Sequence, residues 1–353
     1  MLEVKIKKNV GNFNLDISFI HDRGILSIIG SSGCGKSMTL KCIAGLLKPD
    51  DGLISIDGRI IYSNENNINI PARHRRTGFV FQNFALFPHM TVYKNIEYGV
   101  SDISKTKRNE IISDIMERTH IANLGNRYPH QLSGGQQQRC ALARTLITNP
   151  EILLLDEPFS AADGHTKHIL ESELIGIIKN NFHKPVLLVT HNIEEAYRLS
   201  DRILIIENGK SAQAALKKEV IDHPKTLNAA RITGCKNIFE TEIISSSKSE
   251  TLAKCGELTL SVLRVPQKQK HIHLGIRAHY ISILSEKSHT NNIFPCVVKD
   301  VTEGIFSTTV VAESGGILFR AEIAKTSDIL RLCRKNKKLF IHIPPEKIFF
   351  TAE

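Results

Sequence analysis

The sequence predicts an α/β protein in two domains: a domain built on a parallel sheet over residues 1–233, then a small β-barrel over 234–353. Three observations carry this. The eight residues Gly30-Ser31-Ser32-Gly33-Cys34-Gly35-Lys36-Ser37 stand between an apolar run, Gly24 to Ile29, and a helix-forming stretch, Met38 to Leu47. Two more apolar runs, Ile152-Leu153-Leu154-Leu155 and Val186-Leu187-Leu188-Val189, lead into polar or charged residues, as buried strands of a parallel sheet do. Past residue 234 the pattern changes to short alternating segments at close spacing, the mark of a small barrel. A length of 353 residues suits about two domains.

Taken in order, residues 2–20 alternate like two strands joined near Val10-Gly11-Asn12. The glycine loop at 30–37 follows a strand and opens a helix, the setting in which G-x-x-x-x-G-K-[ST] binds phosphate. Its glycines let the backbone curl so that several N–H groups face phosphate oxygens, and the helix N-terminus adds partial positive charge. Lys36 would place a compact cation on β- and γ-phosphates, and the Ser37 hydroxyl can ligate Mg²⁺. Lys48-Pro49-Asp50-Asp51-Gly52 reads as a turn, Leu53 to Arg59 as a strand ending in an Asp-Gly turn, and Asn64-Glu65-Asn66-Asn67 as a loop.

Gly78-Phe79-Val80-Phe81-Gln82 reads as a strand ending on a glutamine. The next loop, residues 83–90, is apolar and aromatic, so it either packs inside or docks onto a partner. A helix-rich stretch runs from Tyr93 to Thr119. Ser133 is a good N-cap for a helix through Leu146, and free N–H groups at Gly134 and Gly135 would make an anion-binding helix start. Asp156 and Glu157 end a buried strand, and successive side chains there point to opposite faces. One can serve a Mg²⁺ shell while the other addresses an attacking water. His191 follows another buried strand, at the carboxyl edge where ligands bind in open α/β sheets, and Arg202 to Ile206 is the last strand of this half.

Composition narrows the classes. The apolar fraction is 41%, no apolar run approaches a membrane span, and the alternating start has no signal-peptide pattern, so a cytoplasmic chain is expected. Seven cysteines without a C-x-x-C pair argue against a disulfide framework or a zinc site; Cys34 reads as a small tolerated side chain rather than a redox switch. A net charge of +10 without a basic stripe of interleaved aromatics does not support nucleic-acid binding. The densest basic clusters, Arg73-His74-Arg75-Arg76 and Arg334-Lys335-Asn336-Lys337-Lys338, read as solvated faces.

Together these motifs resemble the ATP-binding-cassette (ABC) transporter ATPases over about residues 1–233. The resemblance rests on the phosphate loop, Gln82, Leu132-Ser133-Gly134-Gly135-Gln136, Ile152 to Glu157, Ser160-Ala161-Ala162-Asp163 and His191, all in family order. It implies a P-loop NTPase cassette with a parallel-sheet core, an antiparallel β subdomain and a helical subdomain. It also implies a head-to-tail homodimer with two ATP molecules and Mg²⁺ at the interface. Gly30, Ser31, Ser32, Gly33, Cys34, Gly35, Lys36, Ser37 and Met38 would hold nucleotide on one subunit, and Ser133, Gly134, Gly135 and Gln136 of the other would close on the γ-phosphate. By the same resemblance Glu157 would polarise water, Asp156 would hold Mg²⁺ through its shell and Gln82 would sense both. His191 would contact the γ-phosphate and Asp163 would link the two sites, while Phe13 or Val10 would meet adenine. Family members usually carry Leu where Ala162 stands and Arg where Lys167 stands, a departure expected to weaken subunit contacts.

The resemblance extends to partners. The region near Phe84 and His89 would receive a short helix of a membrane permease, which an extracytoplasmic binding protein feeds. The chain would then sit peripherally on the cytoplasmic face of the membrane. The C-terminal segment Gly275-Ile276-Arg277-Ala278-His279 resembles a strand of the accessory barrel of importer ATPases. With Thr233-Gly234-Cys235-Lys236-Asn237 and the short N-terminal hairpin, it leans toward the molybdate/tungstate and sulfate importers, with ferric iron and sugar importers as alternatives. Regulation by a bound oxyanion would use Arg277, His279 or Lys299. A soluble cassette ATPase acting in translation or DNA repair would need two cassettes or a long coiled-coil insertion, and this chain has neither.

Overall fold

The computed structural model describes residues 1–100, 104–160, 164–247, 250–263, 271–287 and 290–351. Ala161, Ala162 and Asp163, and Lys248 and Ser249 of the serine-rich segment, therefore lie outside the described residues. The chain divides into two compact units, Met1–Lys217 and Lys218–Glu353. That division precedes residue 233 because two short helices group with the second unit.

In the first unit, β1 (Leu2–Val10) and β2 (Phe13–His21) pair as an antiparallel hairpin. Leu2, Val4, Ile6, Leu15 and Ile17 face the core, because side chains on a strand alternate. β3 (Ile25–Ile29) is buried at every residue, and α1 (Lys36–Ala44) follows it. β4 (Asp51–Ile56) turns into β5 (Arg59–Ser63) through Asp57 and Gly58, both at positive φ, as a tight two-residue hairpin requires. β6 (Ile68–Asn69) and β7 (Thr77–Val80) come next. Then come α2 (Val92–Glu97), α3 (Lys105–Arg118) and α4 (Gly134–Leu146). β8 (Ile152–Asp156), α5 (Gly164–Asn181), β9 (Val186–Val189), α6 (Ile193–Leu199), β10 (Arg202–Glu207) and β11 (Lys210–Leu216) complete the unit.

The strands form one sheet in the order β6-β5-β4-β1-β2-β11-β10-β3-β9-β8-β7. The run β10-β3-β9-β8-β7 is parallel, and the run β6-β5-β4-β1-β2 is antiparallel. β8 shows how the parallel part is held. Leu153 and Leu155 enter the core beneath α4 and α5, while Ile152 and Leu154 enter the core that takes Leu40 and Ile43 of α1. Each such side chain contributes about 1.5–3 kcal/mol by leaving water. Among the described residues no helix is long and apolar enough to cross a membrane.

The second unit begins with α7 (Lys217–Asp222) and α8 (Leu227–Ile232). Two five-stranded antiparallel sheets follow. The first uses β12 (Asn237–Ser246), β13 (Thr251–Cys255), β14 (Leu258–Val262) and β15 (His271–Ile276). The second uses β16 (Ser282–Leu284), β17 (Ile293–Glu303), β18 (Ser307–Ser314), β19 (Ile317–Ala324) and β20 (Lys338–His342), and β21 (Phe349–Thr351) returns to complete the first. Both sheets supply one core: Leu260 and Leu274 from one, Val298, Val310, Phe319 and Ile341 from the other. The expected barrel is thus built as two facing sheets. Register shifts in β12 and β17 bend the long strands.

Arg75 overturns part of the solvated-face reading. Arg73 and His74 are exposed and Arg76 pairs with Glu151, but Arg75 is 0% exposed. Its guanidinium donates to the Cys42 and Ile43 carbonyls at 2.8 and 3.0 Å, closing the C-terminal end of α1. It also donates to Ile70 O at 2.7 Å and Asn69 Oδ1 at 2.9 Å. Helix ends leave carbonyls without partners, and a cation there also meets the negative end of the helix dipole. Arg75→Ala should lower unfolding free energy by roughly 2–4 kcal/mol. Chemical denaturation of the two proteins side by side measures this, and an unchanged midpoint would contradict the role given to Arg75.

Candidate functional site

Strand register builds the site. Ile28 of β3 stands beside Val189 of β9, Val189 beside Asp156 of β8, and Leu155 beside Val80 of β7. The four strands therefore end nearly level. The residues that follow them, Gly30, His191, Glu157 and Gln82, emerge along one edge.

The phosphate loop is shaped by contacts only glycine permits. Gly35 has φ 106°, and a Cβ there would run into Leu15 and Phe13; a Cβ on Gly30 would strike the Ile206 carbonyl. Lys36 is 7% exposed, and its ammonium donates to Gly30 O at 2.9 Å and Ser31 O at 2.8 Å. Two loop carbonyls thus pre-position a cation that has three N–H donors. Cys34 is buried, and burial pushes its thiol up, with Lys36 pulling the other way. An inert small side chain is what that environment makes of it.

A cleft of about 700 Å³ opens over the loop. Ser32, Gly33, Gly35, Lys36, Ser37 and Met38 line it together with Glu157 and His191. Lys41, Leu46 and Leu47 also line it, which no sequence motif had marked. Val10 reaches the cleft and is 47% exposed, whereas Phe13 packs beneath Gly35 and Gly209. Of the two candidates for adenine, Val10 alone borders the cleft.

Ser37 Oγ donates to Asp156 Oδ1 at 2.7 Å. Asp156 is 8% exposed. Burial pushes its carboxyl up, the Ser37 hydroxyl draws it back, and the neighbouring Glu157 charge pushes it up again. A hydroxyl and a carboxylate in contact fit Mg²⁺, a hard cation that takes oxygen ligands and keeps several waters. Among the described residues no group of three or more His, Cys, Asp or Glu could hold a metal. An ion here would therefore draw most of its ligands from phosphate and water.

Glu157 stands at φ 46°, a left-handed backbone that is costly for a side chain, and its N–H donates to the Val189 carbonyl at 3.1 Å. Its Oε2 lies 3.4 Å from Nδ1 of His191. Gln82 does not line the cleft; its Nε2 donates to Ser160 Oγ at 3.1 Å, and Ser160 Oγ donates to the Glu157 carbonyl at 3.0 Å. Gln82 is therefore linked to Glu157 through a serine that sequence reading treated only as part of a family string.

Ser133 caps α4 as expected. Its Oγ accepts from Gln136 N–H, and Gln136 Oε1 accepts from Ser133 N–H at 3.0 Å. Ser133 and Gly134 are exposed, Gly135 is buried against Leu170, and none of them lines the cleft. The chain thus carries a phosphate loop and a separate anion-ready helix start that it does not bring together.

The apolar loop after Gln82 is pinned from inside. Phe84 is buried and Leu86 packs against the core, while Asn83, Ala85, Pro88 and His89 are exposed. Phe84 and Ala85 both have positive φ, and their carbonyls accept from Arg144 of α4 at 3.0 and 2.8 Å. Fully buried Asn95 accepts from Phe87 N–H and donates to the carbonyls of Phe87, Met90 and Thr91.

In the second unit the three residues offered for an oxyanion are not gathered. Arg277 is buried, and its guanidinium donates to Thr233 O at 2.5 Å, to Thr233 Oγ1 at 3.0 Å and to the Ile221 carbonyl. Lys299 pairs with Glu313 at 2.5 Å, and His279 is exposed beside Tyr280.

Residues 14–160 match the family model described as ABC transporter. A ferric-ion import ATP-binding protein of Haemophilus influenzae is 36% identical over 320 residues, covering 89% of this chain and 87% of its own. A molybdate/tungstate import ATP-binding protein of Pyrococcus horikoshii is 34% identical over 348 residues, 96% of each chain. A spermidine/putrescine import ATP-binding protein of Vibrio cholerae is 39% identical over 241 residues, 67% of this chain and 61% of its own. Among solved structures, a dimeric ATP-binding cassette in a post-hydrolysis state with ADP and phosphate superposes with a TM-score of 0.51 at 30% identity. That superposition covers 62% of this chain and 99% of the other.

The raised Asp156 carboxyl has a direct consequence. A carboxyl whose folded-state pKa lies above its unfolded value favours folding at low pH, and that contribution is lost as pH rises through the folded value. Asp156→Asn should therefore melt higher than the parent near about pH 7.5, and the gap should narrow toward about pH 4. Thermal melts across that range give the answer; a gap that widens on acidification would overturn the burial argument.

Proposed function

The chain belongs to the ABC transporter family and is an importer-type ATPase, and from that premise we propose that it powers uptake of molybdate or tungstate through a separate membrane permease. The observation that supports this cargo is the molybdate/tungstate relative, whose match runs through both units of the chain rather than the cassette alone. Ferric iron is the second reading, supported by the Haemophilus relative over nearly the same span. Sulfate and sugar are less favoured alternatives, and polyamine relatives match 67% of this chain in one case and 87% in another.

In the proposed mechanism the phosphate loop, Lys36 and the start of α1 hold the ATP phosphates, and Val10 and Leu47 line the same cleft. Ser37 and Asp156 would hold Mg²⁺, which would supply charge neutralisation at the phosphates. Glu157 orients and polarises the attacking water, and His191, 3.4 Å from it, approaches the γ-phosphate. Gln82 reports on this centre through Ser160. Ser133, Gly134, Gly135 and Gln136 stand apart from the cleft in one chain, which supports a head-to-tail homodimer in which they close on the partner's nucleotide. Asp163 would lie between the two sites. The exposed part of the loop between Phe84 and His89 is proposed as the permease contact, holding the chain peripherally at the cytoplasmic face of the membrane. A binding protein would act on the permease alone, and nucleic acid has no place in this reading.

Glu157→Gln should still bind ATP while hydrolysing it roughly 100-fold more slowly or worse. Nucleotide binding and phosphate release, measured on the same preparation, test the assignment, and near-normal turnover would remove Glu157 as the base. Cargo is tested by elemental analysis of cells lacking this chain and grown on trace oxyanion. Molybdenum or tungsten should fall, and be restored by the chain but not by its Lys36→Ala form. A fall in iron instead would favour the second reading.

A further inference from the structure

We propose that Lys167 and Glu195 form a positioning pair that sets His191 opposite Glu157; the inference rests on the hydrolytic reading of those two residues. His191 itself has little to hold it. Its side chain is 62% exposed, and among the described residues its ion-pairing partner is Glu157 at 3.4 Å. Its place must therefore come from the backbone of residues 190–192, and that backbone is fastened from behind.

The fastening starts with Thr190, which is buried and whose N–H donates to Ile28 O at 3.2 Å beside the phosphate loop. Its Oγ1 accepts from Asn192 N–H at 3.1 Å, so the hydroxyl spans the residue between them, His191. Burial pushes the Glu195 carboxyl up, Lys167 draws it back, and the Thr190 hydroxyl adds a smaller pull in the same direction. Asn192 in turn caps α6, accepting from Glu194 and Glu195 N–H groups at 2.8 and 3.2 Å.

Glu195 is 3% exposed, and a lone carboxylate in such a place would be strongly disfavoured. Lys167 meets it, with Nζ 3.1 Å from Oε2. Four residues further along α5, Glu171 pairs with Arg198, three residues further along α6. The two helices are therefore clasped by two crossed pairs on matching faces. Removal of Lys167 leaves Glu195 with the like charge of Glu171, which also pushes its carboxyl up. The carboxylate then takes a proton or turns toward water, and either change loosens the first turn of α6, where Asn192 joins Glu195 to Thr190 on either side of His191. Lys167 occupies the place where the sequence departs from the family's arginine, and its contact lies within its own chain.

The test compares ATP turnover in the intact chain with Lys167→Met, Lys167→Arg, Glu195→Gln, the Lys167→Met/Glu195→Gln double variant, and His191→Ala as reference. A misplaced reacting group costs up to about 100-fold in rate, so kcat should drop by about tenfold or more in Lys167→Met, with KM for ATP within about twofold. Lys167→Arg should recover most of the rate. The double variant should be no slower than the slower single variant, because residues acting as one unit do not add. Equal losses in kcat and in folded fraction, or a fall in affinity with kcat intact, would overturn the proposal. Full activity in Lys167→Met while His191→Ala is slow would overturn the pair alone. Full activity in His191→Ala would overturn the reading on which it rests.

Discussion

The hydrogen bond from Ser37 to Asp156 joins the two halves of the cleft, and most of the first unit is arranged so that it can form. Ser37 is in the first turn of α1, and Asp156 ends a strand two places away in the sheet. Neither could be placed by local structure alone. Parallel register levels the strand ends, apolar residues on both faces of β8 fix its depth, and Arg75 anchors the far end of α1. The result is a buried carboxylate that is poor for stability and good for chemistry. Its discomfort is the local cost of having a charge ready where a cation and phosphates meet.

What could be read from the chain follows from the same physics. Buried parallel strands are apolar on both faces, so β3, β8 and β9 stood out as runs, and the residues after them marked the functional edge. The Ser133 cap was legible because its reciprocal bonds are local, three residues apart. Contacts between residues distant in sequence were not. Arg75 sits in a basic cluster that looks solvated, and only the fold brings Cys42, Ile43 and Ile70 around it. Ser160 is in the same position, unremarkable until Gln82 reaches it.

The second unit was legible as a class and not in its details. Five of its strands, β14, β15, β17, β18 and β20, showed alternation or apolar runs. β16 and β21 have only three residues each, too few for a period to show. Arg277 shows how a cation's partners depend on the fold: its guanidinium donates to Thr233 and to the Ile221 carbonyl, residues about 40 to 60 positions away.

The manner in which Arg75 is neutralised also decides how the phosphate loop responds to its surroundings. Among the described residues its hydrogen-bond partners are three carbonyl oxygens and one amide oxygen, none of which titrates. Being buried, the contact is poorly screened by dissolved ions. Surface pairs in the same unit, such as Lys8 with Asp50, weaken as salt rises or as carboxylates gain protons. The mooring of α1 does neither. A nucleotide site hung from that helix keeps its geometry through swings of ionic strength and acidity that would loosen one tied down by salt bridges.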